Sequence, residues 1–275
     1  MLTAKELSEI KVLQEVCEKE GGFQLKLNFD MLKNRTENRK EDFFHYKDGK
    51  LVGFLGSYDF GNQIELCGMI HPDFRRQGIF TRLLEMGLDE AKKRKFETIL
   101  LNAPTNSKSA KKFLQTLPCT FMMAEYQMKW QETELKEDPK VTVRPSISDE
   151  DFEAEIKLEV LGFKLREDEA RSFNQELRES RSEKSLMIEY EGNIAGKMRV
   201  SKSNGEAWIY AFTVYPELRG KGIGRKALSK VVKQLHQEGL PIFLEVEAKN
   251  AHALGLYESC GFRTYHSQDY FQYHY

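Results

Sequence analysis

At 275 residues the chain is long enough for two domains of ordinary size, each able to bury its own core. Its 42 basic and 43 acidic side chains, 40% hydrophobic content and pI near 6.6 are those of an ordinary globular protein, and they supply no basic surface for nucleic acid or an anionic membrane. Cys17, Cys67, Cys119 and Cys260 lie far apart and the six histidines show no ligand spacing, so neither a disulfide framework nor a metal site is expected. The first residues show no secretory pattern and no stretch approaches ~18 consecutive apolar residues. A cytoplasmic location is the default expectation.

Residues 3–20 carry Leu7, Ile10, Leu13 and Cys17 at helical spacing behind a Thr3-x-x-Glu6 capping box, and Gly21-Gly22 stops them. Residues 43–46 and 51–58 around Asp48-Gly49 predict a β-hairpin, and 64–70 a further strand. A helix is predicted over 78–95, a strand over 98–101 and a short helix over 107–117. The polar stretch 131–140, QETELKEDPK, has little to bury and places a domain boundary. Beyond it, 141–145 alternates as a strand, Ser148-Asp149 can cap a helix, and 185–190 turns at Glu191-Gly192-Asn193 into 194–201. Strand 206–214, helix 222–236, strand 241–248 and a helix over 250–259 follow, with one or two aromatic-rich strands over 265–275.

The second half repeats the first. At an offset of 144, Pro216 falls on Pro72, Arg219 on Arg75, Gly222 on Gly78, Ile223 on Ile79, Asn250 on Asn106 and Tyr257 on Phe113; upstream, residues 191–196 overlie 48–53 at 143. A one-residue slip in a loop accounts for the change of offset. Two similar domains follow, 1–135 and 141–275.

Arg219-Gly220-Lys221-Gly222-Ile223-Gly224-Arg225 stands between a strand and a helix. Unpaired amides at a helix start point outward and the helix dipole favours negative charge, so this is an anion site suited to a phosphate or pyrophosphate. The glycines let the backbone approach the ligand, and Arg219, Lys221 and Arg225 surround it with positive charge. A tight strand-to-helix turn would use the same glycines. The loop lacks both the βαβ context of a dinucleotide-binding fingerprint and the Gly-Lys-Ser/Thr of a P-loop.

That loop after a Val214-Tyr215-Pro216 strand end, with Leu244-Glu245-Val246 and then Asn250, Ala253, Leu256-Tyr257-Glu258 and Gly261-Phe262 further on, resembles the GCN5-related N-acetyltransferase (GNAT) superfamily over the core of 141–275. The resemblance implies an α/β (mixed α+β) fold of two tandem domains, each a mostly antiparallel, splayed sheet flanked by helices. It implies acetyl-CoA as cosubstrate, with its pyrophosphate on the amides of Arg219, Gly220, Lys221, Gly222, Ile223 and Gly224 beside Arg225. Pantetheine would run beside Phe212 and Val214 and bond to Asn250.

Acetyl transfer needs a neutral amine and a proton for the departing thiolate. Tyr257 resembles the family tyrosine that donates this proton, and near pKa 10 a tyrosine still holds it at neutral pH. Glu245, on a strand face with Phe243 and Glu247, is similar to the glutamate that deprotonates the amine in acetyltransferases of ribosomal-protein N-termini; Glu206 is a second candidate. Packing under the cofactor, or the solvated side of a strand, would use the same residues. Trp208, Tyr210 and Phe212 alternate along one face of their strand, a core pattern. Subtracting 144 turns Glu245 into Leu101, Tyr257 into Phe113, Gly220 into Arg76 and Gly224 into Phe80, so the first copy is expected to be catalytically silent.

The expected function is direct acetyl transfer from acetyl-CoA to a primary amine in a ternary complex, without metal. The acceptor is a small-molecule amine or a peptide, with no nucleic acid or membrane as partner, and the protein is a monomer or homodimer. A non-catalytic acyl-CoA sensor and acetylation of a protein N-terminus are the alternatives. Acceptor contacts are expected in 156–182 and the last strands.

Overall fold

The structure, a computed structural model, describes residues 1–36, 39–180, 184–203 and 205–275; residues 181 and 182, the end of the segment expected to touch the acceptor, lie outside the described residues. The chain divides into two compact units, the first of Met1–Glu125 with His266–Tyr275 and the second of Tyr126–Tyr265.

In the first unit α1 (Ala4–Gly21) starts at the Thr3 capping box, in which the Glu6 amide donates to Thr3 Oγ1 at 3.2 Å and the Thr3 amide to Glu6 Oε2 at 2.7 Å. After a short α2 (Phe29–Lys33) come β1 (Asp42–Lys47), β2 (Lys50–Phe60) and β3 (Gln63–Ile70), all antiparallel neighbours. Then follow α3 (Ile79–Lys93), β4 (Thr98–Pro104), α4 (Lys108–Leu114) and the first half of β5 (Cys119–Trp130). β4 runs parallel to β3, and its other edge is taken by the end of the last strand, β11 (Phe262–Tyr273), with Phe271 opposite Leu101. Helix α3 lays Ile79, Leu83, Leu84 and Leu88 on one sheet face; α1 lays Ile10, Leu13 and Cys17 on the other. Both stripes follow the 3.6-residue period.

The second unit contains β6 (Val141–Pro145), α5 (Asp149–Phe163), α6 (Glu167–Ser180), β7 (Lys184–Tyr190), β8 (Asn193–Ser203) and β9 (Glu206–Val214). It continues through α7 (Ile223–Gln237), β10 (Ile242–Glu247) and α8 (Ala251–Ser259). Its strand order is β6-β7-β8-β9-β10-β5, with β9 and β10 parallel. α7 buries Ile223, Ala227, Leu228, Val231 and Leu235 against Ile209 and Leu244. Strand β5 and helix α6 are not among the elements expected from periodicity, and the aromatic tail forms one strand.

On the sheet face opposite α7, a buried ionic cluster joins α5 and α6 to β8. Lys197, fully enclosed on β8, donates to Glu159 Oε1 at 2.5 Å, Glu155 Oε2 at 3.4 Å and Asn174 Oδ1 at 3.3 Å. Glu155 also accepts from Ser146 Oγ at 2.5 Å, and Arg178 lies 3.7 Å from it. A buried lysine is tolerated because two carboxylates and an amide replace its water. Lys197→Met is expected to destabilise the protein by about 3–5 kcal/mol in denaturant unfolding, because it strands two buried carboxylates.

At the start of α5, Asp151 accepts from the two terminal guanidinium nitrogens of Arg144 at 2.8 Å and from the amides of Ile147 and Ser148. The Arg144 bonds hold its carboxyl well below the usual range. A depressed folded-state pKa stabilises above the unfolded value near ~3.9 and ceases to do so as pH falls through the lower folded value. Asp151→Asn is expected to cost about 1–3 kcal/mol at neutral pH and to flatten the pH dependence of unfolding below about pH 4.

Candidate active site

In the second unit, β9 and β10 pair only through Ala207–Ile242, Trp208–Phe243 and Ile209–Leu244. Tyr210 and Glu245 are the first residues past the last pair. Where the strands part, the edge of β9 that faced β10 carries backbone amides and carbonyls with no strand to bond, which suits an extended amide-bearing ligand.

At the same level β9 holds a β-bulge. Opposite β8, Gly196 pairs with Val214 and Lys197 with Thr213, but Arg199 pairs with Tyr210, so Ala211 and Phe212 together oppose Met198. Ala211 takes the left-handed conformation at φ 46°, a strained state for a residue with a Cβ. The extra residue reverses the facing of everything after it. Trp208 and Tyr210 share one face, with rings stacked at 6.1 Å. Phe212, expected on that face, turns to the α7 side instead, where its ring lies 6.3 Å from that of Tyr257.

The glycine loop follows. Gly220 and Gly222 have φ of 79° and 77°, and Gly222 heads α7 without any side-chain cap, so the first amides of the helix remain open. Ile223 is buried and pins the helix start into the core, while Arg219, Lys221 and Arg225 are exposed. Arg219 Nε folds back onto the Val214 carbonyl at 3.0 Å and braces the strand end. A Cβ on Gly224 would meet Phe212 at 3.3 Å, so a small residue is needed beside that ring. A Cβ on Gly222 would meet nothing, so Gly222→Ala isolates the cost of the left-handed backbone; a loss of about 1–2 kcal/mol is expected in the thermal unfolding of the protein.

Tyr257 lies on α8, 8% exposed, between Phe212 and Phe262. Burial, reinforced by Cys260, raises its phenol well above the ordinary value. The hydroxyl has no protein partner among the described residues, yet it is not sealed from solvent. Glu245 is half-buried and accepts from Gln127 Nε2 at 2.8 Å, and Tyr265 donates to Gln127 Oε1 at 3.3 Å. Gln127 comes from β5, which periodicity did not single out, whereas Tyr265 opens the aromatic tail expected to form the last strands. Asn250 caps α8, its Oδ1 accepting from the Ala253 amide at 3.1 Å. Glu206 receives the Trp208 indole N–H at 3.0 Å, four residues along β9 from Tyr210.

Sheet register corrects the correspondence between the two copies. The offset is 143 up to Tyr210, 144 from Phe212 through α7, and 143 again from β10. The slip is therefore the bulge in β9, not a loop. Ile242 pairs with Ala207 as Ile99 pairs with Ile64, so Glu245 corresponds to Asn102 rather than Leu101. Ser107 caps α4 as Asn250 caps α8, so the counterpart of Asn250 is Ser107 and that of Tyr257 is Leu114. The first copy has neither a carboxylate nor a phenol at these two positions.

Its ladder from Gly53–Ile70 to Phe60–Gln63 has no bulge. Arg76 takes the left-handed φ of 64° where the other loop has Gly220. Phe80 packs on Phe113 at 5.1 Å and against Gly68, where a Cβ would come within 2.9 Å of its ring. A cavity of about 780 Å³ nevertheless opens there, lined by Arg76, Gly78, Phe80, Asn102, Phe113 and Leu114 among others. Asn102 Oδ1 is buried without a hydrogen bond. This cavity lies in the copy that lacks the carboxylate and the phenol. Among the described residues no group of three His, Cys, Asp or Glu side chains could hold a metal, and no helix is long and apolar enough to cross a membrane.

The acetyltransferase (GNAT) family model matches residues 9–117 and again 149–262, and the chain belongs to that family. It is 44% identical over 59 residues to the mycothiol acetyltransferase of Kocuria rhizophila, a stretch covering 21% of this chain and 20% of that protein. Over 58 residues it is 40% identical to the [ribosomal protein bS18]-alanine N-acetyltransferase of Escherichia coli, 21% of this chain and 39% of that one. These matches thus span a fifth and about two-fifths of the relatives' lengths. A GCN5-related N-acetyltransferase from Sphaerobacter thermophilus shares the fold with a TM-score of 0.81 at 19% identity, over 98% of this chain and 93% of that one.

Proposed function

We propose that the protein transfers the acetyl group of acetyl-CoA to a primary amine, with the chemistry in the second unit. This reading is supported by the strand parting, where Glu245 is the first residue of β10 past the last pair, together with the open helix start at Gly222 and the buried Tyr257 packed beside Phe212. The pyrophosphate of the cosubstrate lies on the amides of residues 219–224 between Arg219, Lys221 and Arg225, and the pantetheine arm runs along the unpaired edge of β9 past Phe212 and Val214. The side chain of Asn250, whose oxygen caps α8, offers its amide N–H₂ to that arm.

The amine nitrogen loses a proton toward Glu245, directly or through a water, and attacks the thioester carbonyl carbon. A C–N bond forms, the C–S bond breaks, and the leaving sulfur takes its proton from Tyr257. Burial suits Tyr257 to this task, because a phenol with a raised pKa keeps its proton. The Gln127–Tyr265 chain holds the Glu245 carboxylate in place. The first unit is the silent copy. The acceptor is a small-molecule or peptide amine; the E. coli relative is named for an N-terminal alanine of a ribosomal protein.

Tyr257→Phe is expected to lower kcat by about 10²-fold or more while the KM for acetyl-CoA changes little, measured as CoA release with a thiol reagent. Glu245→Gln is expected to lower kcat to a similar degree in the same assay. Because Tyr257 is raised, its ionisation cannot switch off the acid below about pH 10, and the rate should hold up to there. A wild-type decline near pH 8 that disappears in Tyr257→Phe would overturn this assignment.

A further inference from the structure

The face of the second unit that carries Glu245 also carries a set of aromatic side chains in mutual contact. Tyr210, Trp208, Phe243 and Tyr265 form a continuous aromatic row: Tyr210 stacks on Trp208 at 6.1 Å, Trp208 on Phe243 at 5.0 Å, and Tyr265 meets Phe243 edge-on at 5.8 Å. Tyr265 is 42% exposed and Trp208 and Tyr210 are half-buried, while Phe243 between them is buried. Glu245, bonded to Gln127, and Glu206, bonded through one oxygen to the Trp208 indole, lie on the same face, with Trp208 and Tyr210 along β9 between their levels. Extending the β9–β10 register brings Glu245 level with Tyr210, four residues from Glu206. At roughly 3.3 Å per residue the two carboxylates are seated about 13 Å apart along the strands.

One ring of the row already faces a cation: the ammonium of Lys129 lies 5.5 Å over Phe243. Glu247, further along the same face of β10, is paired with Lys249 at 2.6 Å. Electron-rich ring faces attract alkylammonium groups, most strongly at tryptophan.

The geometry points to a linear aliphatic di- or polyamine as the acceptor, its attacking nitrogen at Glu245 and a second ammonium on Trp208 and Glu206. This inference rests on the acetyl transfer proposed above and names its substrate class. The span corresponds to about eight to ten chain atoms between the two nitrogens at the bond lengths of an extended aliphatic chain. The aromatic row would lie along the intervening methylenes, and Glu206 would act as a specificity residue through direct contact with the distal ammonium.

The test measures CoA release by the full-length protein with acetyl-CoA and linear α,ω-diamines of increasing length, beside monoamines of matched length and a peptide with a free N-terminus. The expected result is a kcat/KM for long diamines about 10-fold or more above the matched monoamines, with an optimum near the span given above. Glu206→Gln and Trp208→Leu, each checked for an unchanged melting profile, should raise the KM for the long diamine about 10-fold with kcat within about twofold, so that diamine and monoamine converge. Equal turnover of the two amine classes, or a diamine preference that survives Glu206→Gln, overturns the inference. Turnover of the peptide or monoamines alone, lost in Tyr257→Phe, overturns it and leaves the proposed chemistry standing. Absence of CoA release with every acceptor overturns both.

Discussion

The parting of two parallel strands organises the second unit. β9 and β10 share three residue pairs and then separate, and the backbone groups so exposed must bond to a ligand or to water. The bulge at Ala211 and Phe212 lies at the same level and reverses the facing of the residues after it. Phe212 is thereby brought against Tyr257 and Gly224, while Trp208 and Tyr210 stay on the other face with Glu245. One inserted residue divides the cosubstrate side of the proposed site from its acceptor side.

The first unit shows the same frame without that device. Its ladder is regular, Phe80 packs against Gly68 where the second copy has the reverse pairing of Gly224 with Phe212, and Asn102 and Leu114 stand in the places of Glu245 and Tyr257. Phe54 occupies the position of the buried Lys197, so the ionic cluster under α5 and α6 is also peculiar to the second unit. The copies have kept the scaffold, with its left-handed loop residues and uncapped helix start. They differ at the side chains able to move protons and at those that hold the neighbouring helices.

Much of this was legible in the chain. The Thr3 and Ser148 caps, the Asp48-Gly49 turn, the amphipathic stripe of α3 and the glycine loop are local patterns, and the structure forms each of them. Other features were not. β5 presents no clean alternation, and α6 carries only Ala170, Phe173 and Leu177 at helical spacing within an otherwise polar run. Gln127 carried no local signal at all, since a glutamine bonded to a distant glutamate is defined only once β5 lies beside β10.

The sequence by itself determined the duplication and the glycine loop, because each depends on residue type and near-neighbour spacing, and its family resemblance named the candidate pair Tyr257 and Glu245. Only the tertiary structure decided which residues correspond between the copies and which face each presents. A fixed offset of 144 pairs Glu245 with Leu101 and Tyr257 with Phe113; the sheet register and the helix caps give Asn102 and Leu114. The physical reason is the two-residue period of a strand. A single insertion is nearly invisible in an alignment, yet in a sheet it exchanges inside for outside.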